Sequence, residues 1–222
     1  MFRLLHQIKQ QIFLQVFTVY LRYLIGAAFI IAAFGMGKLN GRSNLMQSMD
    51  KPIDQLMPIQ QFFRVMADSG LYWHFIGWSQ IIAGALLMTQ KQARLGAVIF
   101  FGLILNIFII TVSYGFSGTP FITGLMLLAS IYLLVWDLPA FMPIILNRFD
   151  YQYEPLRLAD HRFWTILGLL MVASIVVMGL LHINTLLQLG TAFAEGLIGF
   201  VIYMIVLHKK ANVRSQMADR RY

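Results

Sequence analysis

The chain has 222 residues, of which 59% are hydrophobic and only 12% charged, and its mean hydropathy is +0.72. A soluble domain holds roughly 45–50% apolar and about 25% charged residues, so this chain lacks the polar surface that a water-soluble enzyme needs, and it is neither disordered nor fibrous. It has no cysteine, which excludes disulfides, thiolate nucleophiles and cysteine-held zinc or iron–sulfur centres.

Residues 1–14, with FRLLHQIKQQIF at their centre, read as a basic, amphipathic cytoplasmic lead-in. No small-residue cleavage site follows a short apolar core, so the first apolar span acts as the insertion signal. Six apolar stretches follow, at 15–36, 71–89, 95–115, 120–136, 163–183 and 186–207. Each is close to the roughly 20 residues that cross a bilayer. Open sheets do not survive in lipid, and the strand-length alternation of an outer-membrane barrel is absent. The expected fold class is an all-α membrane protein with six transmembrane helices.

Between the first two spans, MPIQQFFRVMADSG predicts an amphipathic helix at about 58–68, because Ile59, Phe62, Phe63 and Met66 share one face after Pro58. Two roles are open for it: contact with lipid, or a lid folded over the mouth of the bundle. Gly118–Thr119–Pro120 opens the fourth span, with Thr119 expected as N-cap and Pro120 at the first helical position. Trp136, Asp137 and Pro139 read as an interfacial stop. The resulting organisation is a four-helix bundle over 15–140, a link over 141–162, a two-helix hairpin over 163–208 and a basic tail over 209–222 whose last dozen residues are expected to fray.

The charges set the orientation. Twelve of the 17 basic residues fall on the side holding both termini, four (Lys38, Arg42, Lys51 and Arg64) on the other, and Arg22 lies within the first span. By the positive-inside rule, both termini are cytoplasmic. This bias also accounts for the net charge of +8 without nucleic acid as a partner. The partners expected instead are the lipid bilayer and either other membrane proteins or a second copy of the chain.

Polar groups at membrane depth are costly and usually face a bundle interior or a wet cavity. Four are candidate ligand-binding residues: Arg22, Gln80, Asn106 and Glu195. Arg22 sits about 10 Å into its span at 1.5 Å per residue. It either snorkels to headgroups or serves as a buried cation. Gln80 and Asn106 fall near mid-depth, as glue between helices or as lining of one polar pocket with Arg22. Gln188, Thr191 and Glu195 share a helix face. For Glu195 an interhelical hydrogen bond, an ion pair with Arg22 and a ligand or proton-handling role all remain open. His74 and His182 meet only the matched-depth condition of a bis-histidine haem. No metal ligand set, phosphate loop or nucleophile motif is present, so no catalytic residue is assigned and no cofactor is evident.

Arg22 with Gly26, Gly35 and Gly37–Lys38–Leu39, then Gly77–Trp78–Ser79–Gln80 with Gly84 and Arg94–Leu95–Gly96, then Asn106, Thr111 and the stretch from Gly118–Thr119–Pro120 to Trp136–Asp137 together resemble the DoxX-like family of bacterial four-helix membrane proteins over residues 15–140. Two features depart from it: Gln80 stands where many members carry a glutamate, and two further spans follow the four-helix unit. The resemblance implies a DoxX-like bundle and a link to quinone chemistry or other redox assemblies. Three functions are therefore in play: a subunit binding a quinone-like or lipid-like molecule in a redox-linked assembly, an accessory or assembly subunit of a larger membrane complex, and a small transporter. Any catalysis in the first would need an electron donor from a partner.

Overall fold

A computed structural model describes residues 8–41, 47–48, 50–146 and 161–219. Among them are eight α-helices and no strand: α1 (Ile12–Gly35), α2 (Pro58–Asp68), α3 (Leu71–Met88), α4 (Ala93–Ser113), α5 (Thr119–Trp136), α6 (Leu138–Leu146), α7 (Arg162–Leu180) and α8 (Thr185–Asp219). Six are long and apolar enough to cross a membrane: α1, α3, α4, α5, α7 and the part of α8 from Thr185 to Val206. Their outer faces carry Leu24, Phe75, Leu128, Leu170 and Phe193, all more than half exposed. That surface suits hydrocarbon and not water, and the chain is an all-α, multi-pass membrane protein.

Helix α1 is the most buried of the spans and α8 the least. One face of α1 places Ile25 and Phe29 in a core with Ala83 and Leu87 of α3, Phe100 and Ile104 of α4 and Leu133 of α5. The opposite face places Val19, Tyr23, Ile30 and Phe34 in a second core with Trp164, Met171 and Ile175 of α7 and Ala192 of α8. The C-terminal hairpin is therefore packed on the back of α1, where the sequence suggested an appendage following a finished four-helix unit.

Small residues allow this close approach. At the α1–α3 crossing a Cβ on Gly26 would lie 2.8 Å from the Gly84 carbonyl oxygen, and one on Gly84 would lie 2.6 Å from that of Gly26. Backbones pack this closely only where neither partner carries a side chain.

The helix ends direct polar side chains inward. After α1 the chain turns at Gly37 (φ 69°), with Gly37 N–H donating to Phe34 O at 2.8 Å and Lys38 N–H to Ala33 O at 3.1 Å. This is a Schellman cap, and it returns Lys38 to the protein interior. After α7 the same pattern recurs with His182 (φ 55°), whose N–H donates to Gly179 O while Ile183 N–H donates to Met178 O. After α3 the left-handed position is Gln90 (φ 62°). A left-handed backbone is unfavourable for a residue with a side chain and persists only where the surroundings enforce it.

Two sequence expectations are corrected. Gly118 (φ 74°), not Thr119, caps α5, because the glycine takes the left-handed turn and Thr119 already lies in the helix. The expected stop at Trp136–Asp137 is present: α5 ends at Trp136 with Asp137 as its C-cap, and a separate short helix, α6, follows from Leu138. The tail does not fray after 210: α8 runs unbroken to Asp219, as no glycine or proline lies between Phe200 and Asp219 to stop it. The rest of the inner link, 147–160, lies outside the described residues.

Candidate functional site

The four candidate polar residues do not converge on one pocket. Arg22, 97% buried, donates from Nη2 to Asp137 Oδ2 at 2.8 Å and from Nη1 to Gln90 Oε1 at 3.0 Å. Asp137, at the end of α5, is 99% buried. Of the two readings of Arg22, snorkelling or a buried cation, the geometry is that of the buried cation. Its anion comes from the fourth span and its second acceptor from the strained Gln90 turn. Lys9 stands over the Trp136 ring at 5.7 Å on the same side. Burial lowers the Lys9 pKa, and the Asp137 carboxylate opposes that shift.

Gln80 lies at the opposite end. About 20 Å separates Arg22 from the last turn of α1 at 1.5 Å per residue, and just beyond that turn Lys38 Nζ donates to Gln80 Oε1 at 2.7 Å. Lys38 is 97% buried. Its ammonium also stands 5.3 Å from the centroid of the Trp73 ring and 3.4 Å from the Met36 sulfur. With no carboxylate of the described residues contributing, burial pushes its pKa from the usual 10.5 down to about 7. Helix α2 covers this end: Phe63 packs on Trp73 and Phe116, each with ring centroids 6.3 Å apart, and Phe62 packs on Tyr114 at 5.4 Å. Of the two roles open for α2, the structure has it folded over the bundle.

Glu195 pairs with neither. Its Oε2 accepts from Ser174 Oγ at 3.0 Å, joining α8 to α7. The stripe it shares with Gln188 does face the protein, and Gln188 is 97% buried. Asn106 is exposed on the outside of α4, in a row with Val98, Gly102 and Ile109. His74 and His182 have separate partners, the Gly70 carbonyl one turn back at 2.7 Å and the Asn40 amide, 142 residues away in the chain, at 3.2 Å.

The built cavity lies elsewhere, along the seam between α1 and α8. A groove of about 640 Å³ is walled by Phe13, Phe17, Tyr20, Leu24, Ala27 and Ala28 of α1, Leu189, Ala192, Phe193, Gly196 and Phe200 of α8, and Met171 of α7. Tyr20 is the tie across it, its hydroxyl donating to Gly196 O at 3.0 Å. Further along the same faces of both helices, Phe34 and Gly35 of α1 and Thr185, Leu186 and Gln188 of α8 border a second cavity of about 600 Å³. Asn40, Gly179, His182 and Asn184 complete its polar wall. Both volumes fall in the roughly 300–1,000 Å³ range of small-molecule sites. The seam thus presents an apolar trough with a polar mouth at the Lys38 end of the bundle.

Sequence reasoning missed Asp137, Gln90 and Lys38 as partners, and Asn40 as part of the mouth. No family model, curated protein or solved structure matches the chain.

Proposed function

We propose that this protein is a multi-pass subunit of a bacterial cytoplasmic membrane, DoxX-like over residues 15–140, that holds a lipid-like or quinone-like amphiphile in the α1–α8 seam. The observation that carries this reading is the alignment of an apolar groove of about 640 Å³ with a polar cavity of about 600 Å³ on one continuous face of α1 and α8. Between spans there is no transfer from water, so a tail in the groove is held by close van der Waals packing against the side chains of α1 and α8. The head then reaches amide and imidazole groups and not hydrocarbon. Arg22 and Gln80 act in this reading as structural members of the two buried clusters. The redox-linked setting and the quinone alternative are supported by the DoxX-like resemblance, and the cytoplasmic placement of both termini by the basic residues around Lys91, Arg94 and Lys209.

The test is extraction of the protein from native membranes in mild detergent, with quantitation of the lipids that travel with it. Ala28→Trp fills the groove from a partly exposed position on its wall and is expected to strip the retained amphiphile while leaving the thermal transition intact. Retention unchanged by Ala28→Trp would defeat the proposal.

An accessory role in a larger complex is the second reading, favoured by Asn106. Its amide sits midway along the lipid-facing side of α4, where a hydrogen-bonding group is stabilised by a neighbouring helix. Photo-crosslinking from position 106 in membranes tests it: adducts with a protein support this role, and adducts with lipid alone oppose it.

A further inference from the structure

We propose that the outer face of α4 is where two copies of this protein meet, with the Asn106 amides of the two chains paired inside the membrane. This inference rests on the reading of Asn106 as a group that meets another protein helix, and goes beyond it by naming that helix as α4 of a second copy.

Most of the outer face of α4 suits lipid: Val98, Leu105, Ile109 and Val112 are all exposed. Between Leu95 and Val112, two exposed residues are not large and apolar. They are Gly102 and Asn106, one turn apart. Asn106 lies seven residues before Ser113, the last of α4, so about 10 Å from that helix end at 1.5 Å per residue. Its amide makes no hydrogen bond to any described residue. Acyl chains offer it no partner, and a bare amide in hydrocarbon is costly. Carried on a single methylene, it is too short to reach back to the headgroups.

The face also matches itself. Copies of one chain insert the same way up, so two of them meet about a twofold axis along the membrane normal. Each residue of α4 then lies opposite its own image at its own depth. A charged side chain would meet a like charge there, whereas an asparagine meets its complement. Its Oδ1 accepts from the other copy's amide nitrogen while its Nδ2 donates to the other copy's amide oxygen. No titratable side chain follows Arg94 in α4, so a second copy sets no like charge against the first along the rest of the span. Such short amides meet only if the two backbones are close. Gly102, with nothing within 4 Å of a Cβ built on it, leaves that room one turn away.

The chain has no cysteine, so one introduced thiol reports on one position. Two differently tagged copies of the full-length protein are expressed together, both with Val98→Cys or both with Ile109→Cys, and native membranes are oxidised with copper phenanthroline. Disulfide-linked dimers holding both tags are expected from each α4 position and not from Leu170→Cys on the exposed face of α7. At low expression, where yield follows the association constant, Asn106→Leu is expected to lower the dimer about tenfold, the effect of losing two interhelical hydrogen bonds. Gly102→Leu is expected to do the same by holding the backbones apart, so a folding defect in one variant leaves the other as the test. Absence of linkage from the α4 positions, equal linkage from Leu170→Cys, or a dimer that survives both leucine variants overturns the inference. A photo-crosslinker at Leu105 leaves Asn106 in place and separates the partners: adducts joining the two tags support the pairing. Adducts with a different protein alone overturn it and leave the accessory reading standing, and adducts with lipid alone overturn both.

Discussion

The Arg22 guanidinium and the Asp137 carboxylate meet at 2.8 Å across 115 residues of chain, with 4% and 1% of their side chains exposed. The contact fastens the central helix α1 to the end of α5. Removing one member of a buried pair leaves an uncompensated charge and typically costs about 3–5 kcal/mol, whereas replacing both with apolar groups costs far less. Arg22→Met and Asp137→Leu are each expected to lower the thermal transition in detergent sharply, and the double variant to regain most of the loss. Additive losses in the double-mutant cycle would show that the two groups do not act as a pair.

Lys38 gives a signed dependence on pH. Burial places its pKa at about 7 in the folded protein, against about 10.4 in an unfolded chain. Between those values the unfolded state binds more protons, so stability rises with pH through that window and loses this contribution below it. Lys38→Met is expected to flatten the rise in transition temperature between about pH 7 and pH 10. Parallel curves for the two proteins would contradict the assignment.

The α1–α3 crossing depends on two missing side chains. Gly26→Ala and Gly84→Ala each drive a methyl into the carbonyl of the facing helix and are expected to destabilise by about 1–3 kcal/mol, as overpacking does. Gly102, which has nothing within 4 Å of its built Cβ, is the control. Gly102→Ala should be neutral or stabilising by up to about 1 kcal/mol through helix propensity.

The aromatic cover over Trp73 is expected to loosen without the spans unfolding. Phe63→Ala removes the ring contacts to both Trp73 and Phe116. Hydrogen exchange should speed up across residues 58–68 and stay slow in α1 and α3. Unchanged exchange in α2 would mean that Phe63 does not hold it down.

Much of this arrangement is readable before folding. The spans stand out because a run of about 20 apolar residues has few other uses, and α2 because its apolar residues repeat at helical spacing beside Pro58. Depth is equally legible: Gln80 and Asn106 do lie within spans. Facing is not. Helix α4 is apolar on nearly every side, so the sequence carries no phase to say whether Asn106 looks inward, and it looks out. Lys38 reads as one more loop charge until the Gly37 turn sends it back under Trp73. Gln90 and His182 carry no glycine to announce a left-handed turn, although that turn is what aims both side chains. The groove is built from Ala27, Ala28, Ala192 and Gly196, which in a linear chain are ordinary span residues; only the crossing of α1 and α8 makes them a trough.

Helix α1, the first of the six spans described, packs at their centre, and this shapes how they assemble. At about 5–20 residues per second, a ribosome needs roughly 6–23 s to travel from Arg22 to Asp137. For that interval the nascent helix waits in the translocon or the bilayer with its guanidinium unmated, before the counter-ion that neutralises it has been synthesised. Assembly is thus timed by translation, and a cell that slows elongation between these codons lengthens the exposure of an unfinished intermediate.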